Sequence, residues 1–221
     1  MEGKQGRRSG VIMGDLVRSE SSLPLDLLHE RFNKAIDDQN IAHANAFLSP
    51  MTITLGDEFQ GIARTLAQAA MIARDLRFQL LADKIDCRFV VGLVEIKTPI
   101  NPDKAWNMMG PGLAKARNKL NQKKADQYYR FSLPEESVME VVLDALGAGL
   151  SAIERGWTDQ QREDISGLMS GSTPAELARR RNVSVHSIYK VRGSGSYDAY
   201  AMQWNAISEA LAWLDKKEGL G

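Results

Sequence analysis

The chain has 221 residues, 43% of them hydrophobic, enough to bury one large core or two small ones. Lys plus Arg (28) equals Asp plus Glu (28), so no global field marks a nucleic-acid or membrane binder, and any such role needs a local patch. The single cysteine, Cys87, excludes an intramolecular disulfide and a cysteine-only metal cluster, and no run approaches the ~18 apolar residues of a membrane span, so a cytoplasmic protein without membrane contacts is expected.

Residues 1–8 read as a disordered basic tail. SGVIMGDLV is an apolar run with an acid near its end, the pattern of a buried central strand with a polar residue at its mouth. Pro24 then opens a helix, LPLDLLHERFNKAIDD, with Leu25, Leu28, Phe32 and Ala35 on one face. MTITL and FQGIA flank GDE as a hairpin in which Gly56 is free to adopt positive φ. RTLAQAAMIARDLRFQLLADK is a long amphipathic helix. DCRFVVGLVEIKT is a second buried strand, and its Gly92 signals a bulge or a close approach. A loop, NPDKAWNMMGPG, leads to the cation-rich helix LAKARNKLNQKKA, the short strand QYYRFSL and the helix EESVMEVVLDALGAGLSAIERG. The order β-α-β-β-α-β predicts an α+β, ferredoxin-like domain over 9–150.

Composition shifts near residue 150, and 151–221 read as a separate all-α domain. Thr158 with Gln161, and Thr173 with Glu176, have capping-box spacing, with Pro174 at a first helical position. Asn182 and Val183 form a corner and Ser184 caps a second short helix, VHSIYKVR. This arrangement looks like a bacterial helix-turn-helix, supported by EDISGLMS and closed by a final helix. Tyr200, Trp204, Ile207, Leu211 and Leu214 on that last helix form a stripe suited to the core or to a dimer seam.

In a split βαβ sheet the end of the first strand faces the hairpin tip, so Asp15 and Asp57 could converge. Two carboxylates there repel unless a cation neutralises them, and Mg²⁺ prefers carboxylates together with phosphate oxygens. The competing reading makes Asp57 and Glu58 turn residues and Asp15 a local cap. Arg18, three residues after the first acid, and Lys115, Arg117 and Lys119 on the helix after GPG are candidates for phosphate, since a helix N-terminus following a glycine-rich turn suits an anion. Lys and Arg on a polar helix face are more usually only solvent-facing, and GPG alone is a weak signal.

These residues resemble those of two related groups. A strand ending in Asp, a Ser-containing loop, a helix and a Gly-Asp hairpin resemble the palm domain of class III nucleotidyl cyclases and GGDEF diguanylate cyclases, with Asp15 in MGDLVRSE and Asp57 in LGDEFQG at the metal-binding positions. GDLVRSE, TLGDEFQG, RFVVGLVEI, GPGLAKAR and the terminal helix-turn-helix occur in the order of the SatD family, to which the chain is similar over nearly its whole length. The resemblance implies a nucleotidyl cyclase-like palm and a divalent metal, Mg²⁺ or Mn²⁺, at Asp15, Asp57 and Glu58. Two departures stand out. Leu55 replaces the second glycine of the GGDEF run, and aligning the helix of GPGLAKARNKL puts Ala114 and Asn118 where cyclases carry a catalytic Asn and Arg. Nucleotide or metal binding is therefore expected ahead of cyclisation.

Over residues 173–192 five cations, Arg179, Arg180, Arg181, Lys190 and Arg192, face one acid, Glu176, the local excess a DNA-facing patch requires. Ser184, His186 and Ser187, at the start of the second helix, would reach base edges. The combined expectation is a homodimeric DNA-binding regulator whose cyclase-like domain binds a nucleotide or small phosphorylated ligand. The alternatives are an active metal-dependent nucleotidyl cyclase or nucleotidyltransferase, and a catalytically empty scaffold.

Overall fold

The computed structural model describes residues 7–17, 24–122 and 127–221. Strand β1 (Arg7–Leu16), helix α1 (Leu25–Ala42), strands β2 (Phe47–Ile53) and β3 (Glu58–Ala63), helix α2 (Leu66–Ala82) and strand β4 (Cys87–Ile96) follow the expected order. After a loop come α3 (Leu113–Asn121), β5 (Tyr129–Ser132) and α4 (Ser137–Arg155). The strands form one mixed sheet in the order β2-β3-β1-β4-β5. β1 is antiparallel to both β3 and β4, which gives the ferredoxin-like order, and β5 adds in parallel beyond β4. Arg7 and Arg8, expected in the tail, are the first residues of β1, and residues 1–6 lie outside the described residues.

β1 is apolar without alternation because helices cover both of its faces. Ile12 and Leu16 join the main core with Phe32 of α1 and Leu76 of α2, whereas Val11 and Met13 pack with Ala116 and Leu120 of α3. This two-residue period continues to Asp15 and sends its side chain to the α3 face. β2 begins at Phe47, earlier than MTITL suggested. It runs through Pro50 because it is an edge strand with two register shifts, where a missing amide is tolerated. Gly56 takes φ 70° in the hairpin, as expected. At Gly92 the ladder is regular, and a side chain there would sit 3.0 Å from the Ser132 carbonyl, so close approach, and not a bulge, explains the glycine.

The chain closes with α5 (Asp159–Met169), α6 (Pro174–Arg181), α7 (Val185–Ser194) and α8 (Tyr197–Glu218). Both capping boxes form, Ser184 accepts from the Ser187 amide, and Asn182 ends α6 in the left-handed region at φ 53°. The stripe Tyr200, Trp204, Ile207, Leu211 and Leu214 is core: all five belong to the cluster that holds Phe59 and Phe89 of the sheet, so they are not available to a second copy. Residue 150, where composition shifts, lies within α4. A smaller cluster, Leu168, Leu177, Ala178 and Ile188, joins α5, α6 and α7.

Aromatic contacts thread these layers. Phe32–Phe59 and Phe59–Phe89 centroids are 5.9 Å apart, Phe89–Tyr129 6.0 Å and Tyr129–Trp204 4.9 Å, a series running from α1 through three strands to α8. Beside it Glu154 of α4, 2% exposed, accepts from Arg77 Nε (2.5 Å), Tyr129 Oη (2.8 Å) and Tyr200 Oη (2.6 Å). Burial, and then the Glu154 charge, push both phenols well above their usual range, so they stay protonated donors. Among the described residues no helix is long and apolar enough to cross a membrane.

Candidate functional site

The chemistry-bearing residues collect on the α3 face at the end of β1. Asp15 lies directly opposite Glu58 of β3 on one side and Arg88 of β4 on the other, so one row across the sheet reads Glu58, Asp15, Arg88. Directly paired residues leave a sheet on the same face. Arg88 grips Asp15 with both arms of its guanidinium, Nε to Oδ1 at 3.1 Å and Nη2 to Oδ2 at 2.5 Å. Arg117 reaches the same row from α3. Its Nη2 donates to Gln60 Oε1 at 2.7 Å and its Nη1 lies 3.6 Å from Glu58 Oε2.

Beside this row a recess of about 480 Å³ is lined by Met13, Leu55, Gln60, Trp106, Met108 and Arg117 among others. Trp106 is 47% exposed and Leu55 65%, so two large apolar side chains stand in water at the rim, next to a cation. Gln60 is fixed at both ends, its amide donating to the Ala105 carbonyl at 2.6 Å while its carbonyl accepts from Arg117.

The expected residues separate. Asp15 and Glu58 share the row, but Asp57 borders a different recess, with Leu28, His29 and Phe32 of α1. Its link to β1 is through the backbone, the Leu16 amide donating to the Asp57 carbonyl at 3.0 Å. Lys115 is exposed on α3 and its charge acts toward Glu140 of α4. Lys119, a candidate for phosphate, is instead buried, donates to the Phe131 carbonyl, and pairs with Glu140 (2.8 Å) and Asp144 (2.7 Å) as a clamp among α3, β5 and α4. Arg18 lies outside the described residues. The residue that sequence reasoning missed is Arg88. Its signal was its place at the head of RFVVGLVEI, mirroring Asp15 at the tail of the strand that runs antiparallel to it.

These acids do not fit a divalent ion as arranged. Mg²⁺ takes oxygen ligands in near-octahedral geometry and keeps several waters. Both oxygens of Asp15, 4% exposed, already accept from Arg88, and Glu58 is paired with Arg117. No group of three or more His, Cys, Asp or Glu able to hold a metal is found among the described residues.

The second basic region is on α6 and α7. Arg181 pairs with Asp164 of α5, whose side chain is fully buried, and Arg192 pairs with Asp198 (Nε 3.0 Å, Nη2 2.5 Å) while lying over the Tyr197 ring. Both were expected on DNA; Arg181 is held by a buried acid, whereas the Arg192–Asp198 pair lies at the surface. Arg179, Arg180 and Lys190 are exposed and have no ion pair with a described residue. His186, Tyr189 and Lys190, three and four residues apart, form one exposed stripe of α7, with Ser184 at its cap. The Ser187 amide is spent on that cap and its hydroxyl lies 2.9 Å from the Ser184 hydroxyl.

The model of the SatD family matches residues 10–195. The chain belongs to the SatD family. No curated protein matches it by sequence. Among solved structures, this SatD-family chain is similar to the catalytic core of a rhodopsin-guanylyl cyclase with converted specificity, in complex with ATPαS, at 15% identity and TM-score 0.41 over 55% of this chain and 75% of that one. It is similar to the guanylyl cyclase Cya2 at 11% identity and TM-score 0.42, over 57% and 76%. A third is the monomeric guanylyl cyclase domain of the RhoGC fusion protein from the aquatic fungus Blastocladiella emersonii, at 15% and 0.41, over 56% and 80%. Likeness at this distance carries neither substrate nor chemistry to the SatD-family chain.

Proposed function

We propose that this chain is a DNA-binding regulator in which α7 enters the major groove and the α3 face of the sheet receives a nucleotide or another small phosphorylated ligand. The observation that carries the first half is the exposed surface of α6 and α7. Arg179, Arg180 and Lys190 are exposed and make no close ion pair with a described residue, Glu176 acting on the two arginines only at longer range, while Arg181 and Arg192 are paired with Asp164 and Asp198, so these three cations are left for phosphates together with a polar stripe of Ser184, His186, Tyr189 and Lys190. The small cluster of Leu168, Leu177, Ala178 and Ile188 fixes the angle between the two helices without using that surface. A homodimer would present two such stripes to successive turns of the duplex.

The ligand half is supported by Arg117 and the exposed ring of Trp106 at one recess, a cation beside an aromatic face, as a phosphate joined to a base requires. Turnover of a nucleoside triphosphate would need ions on acids that Arg88 and Arg117 already hold, so a binding role is the better reading. Fluorescence anisotropy with a labelled duplex tests the DNA half. Wild type should bind with salt-dependent affinity, and the variant Arg179→Glu/Arg180→Glu/Lys190→Glu should lose binding while keeping its near-UV circular dichroism. A folded triple variant that binds like wild type would overturn the assignment. Thermal shift across a nucleotide panel tests the other half, with stabilisation by at least one nucleotide expected and lost in Arg117→Ala.

A further inference from the structure

We infer that Arg88 is the resident cation of the Asp15 carboxylate and that, by occupying it, Arg88 keeps divalent metal away from the end of β1. Asp15 and Arg88 are direct partners across β1 and β4, so the register alone brings their side chains together. The guanidinium fork satisfies both carboxylate oxygens at once, a geometry that a lysine or a hydrated ion does not reproduce. Both side chains are nearly out of water, at 6% exposure for Asp15 and 10% for Arg88. An incoming ion would have to shed waters, take an oxygen already bound to a charged donor, and stand next to a fixed positive charge.

The surroundings reinforce the exclusion. Glu58, the next carboxylate of the row, has Arg117 at 3.6 Å. Arg130 of β5, 6% exposed, donates to the Lys119 and Gln122 carbonyls on the same face, and its buried Nε has no hydrogen-bond partner among the described residues. Burial, and the nearby Arg88 charge with it, push its pKa down against the pull of Asp144 and Glu140. Three guanidinium groups, Arg88, Arg117 and Arg130, thus stand on the face that carries Asp15 and Glu58, with Asp144 and Glu140 of α4 acting on Arg130 and pairing with Lys119. At the end of β1 each carboxylate has its own guanidinium, Arg88 on Asp15 and Arg117 on Glu58, so no net negative charge is left there to draw a cation.

Mn²⁺ alone is the probe, so the outcome is independent of whether the chain binds DNA or a nucleotide. Full-length wild type, Asp15→Asn, Arg88→Ala and the double variant are titrated with Mn²⁺ and the free ion is followed by electron paramagnetic resonance. Wild type and Asp15→Asn should bind Mn²⁺ alike. Arg88→Ala should bind it more tightly by at least about tenfold, because a unit charge beside the ion is gone, and the double variant should lose that gain. Mn²⁺ binding by wild type that disappears in Asp15→Asn overturns the inference, and so does a folded Arg88→Ala that binds no better than wild type. If Arg88→Ala does not fold, Arg88→Gln replaces it, and the comparison of wild type with Asp15→Asn still decides.

Discussion

Asp215 lies near the end of α8, yet its carboxylate closes the first turn of α2, accepting from the Leu66 amide at 2.7 Å and the Ala67 amide at 3.0 Å. Thr65 supplies the local cap to Gln68, so the two together satisfy three amides that would otherwise be orphaned. Asp215→Ala should cost about 1 to 2 kcal/mol in urea denaturation, the range for loss of a cap beside a helix dipole. Glu140 gives a pH-dependent counterpart. Burial pushes its carboxyl up, but the Lys119 ammonium and the Leu133 amide outweigh burial and hold it below the usual 4.5. A carboxyl depressed in the folded state contributes stability that is present above the unfolded pKa and is lost as pH falls through the folded one. The stability difference between wild type and Glu140→Gln should be constant near neutral pH and shrink below 4.5. A difference that ignores pH would contradict this account of the clamp.

At the scale of elements, α6 and α7 were legible because their ends are written locally. Thr173 with Glu176, Pro174, Asn182 and Ser184 each act within one turn. What the local pattern could not assign was which cation faces outward. Arg181 is committed to Asp164, 17 residues earlier in a helix that reads as polar, and only packing buries that acid. Arg181→Ala should therefore destabilise the fold by about 3 kcal/mol, since it strands a buried carboxylate, whereas Arg179→Ala should change the melting temperature little. Equal effects of the two would remove the distinction. The site follows the same logic. Asp15 at the mouth of an apolar strand could be read from the sequence, but Arg88 depends on a β1 to β4 register that places Val11 opposite Gly92, which no short-range signal encodes. Asp57 was expected with Asp15 because both end neighbouring segments. The register instead gives Asp15 the next residue, Glu58, and leaves Asp57 bordering the α1 side.

Over the whole molecule, the ferredoxin-like order was readable from strand and helix periodicity, while the depth at which the C-terminal helices enter the core was not. α8 looks from its sequence like a closing helix of a second unit, but Tyr200 and Trp204 sit against Trp157 and Tyr129, and Glu154 ties α2, β5 and α8 to one carboxylate. Glu154→Ala would leave Arg77, 1% exposed, with its Nε unpaired in the core, a loss of about 3 to 5 kcal/mol. Thermal unfolding of wild type should be a single transition, with far-UV circular dichroism and tryptophan fluorescence coincident. Two separated transitions would contradict a shared core.

The claim on which the functional account depends most is that α6 and α7 hold DNA through Arg179, Arg180 and Lys190. The direct measurement is the salt dependence of duplex binding by anisotropy for wild type and for the triple charge reversal at those positions. The account expects wild-type affinity to fall linearly on a log–log plot, with the slope reduced by about 2 to 3 in the variant, since each phosphate that a cation neutralises adds about 0.9 to the slope. Binding by wild type with no salt dependence, or an identical slope in the folded variant, would contradict it.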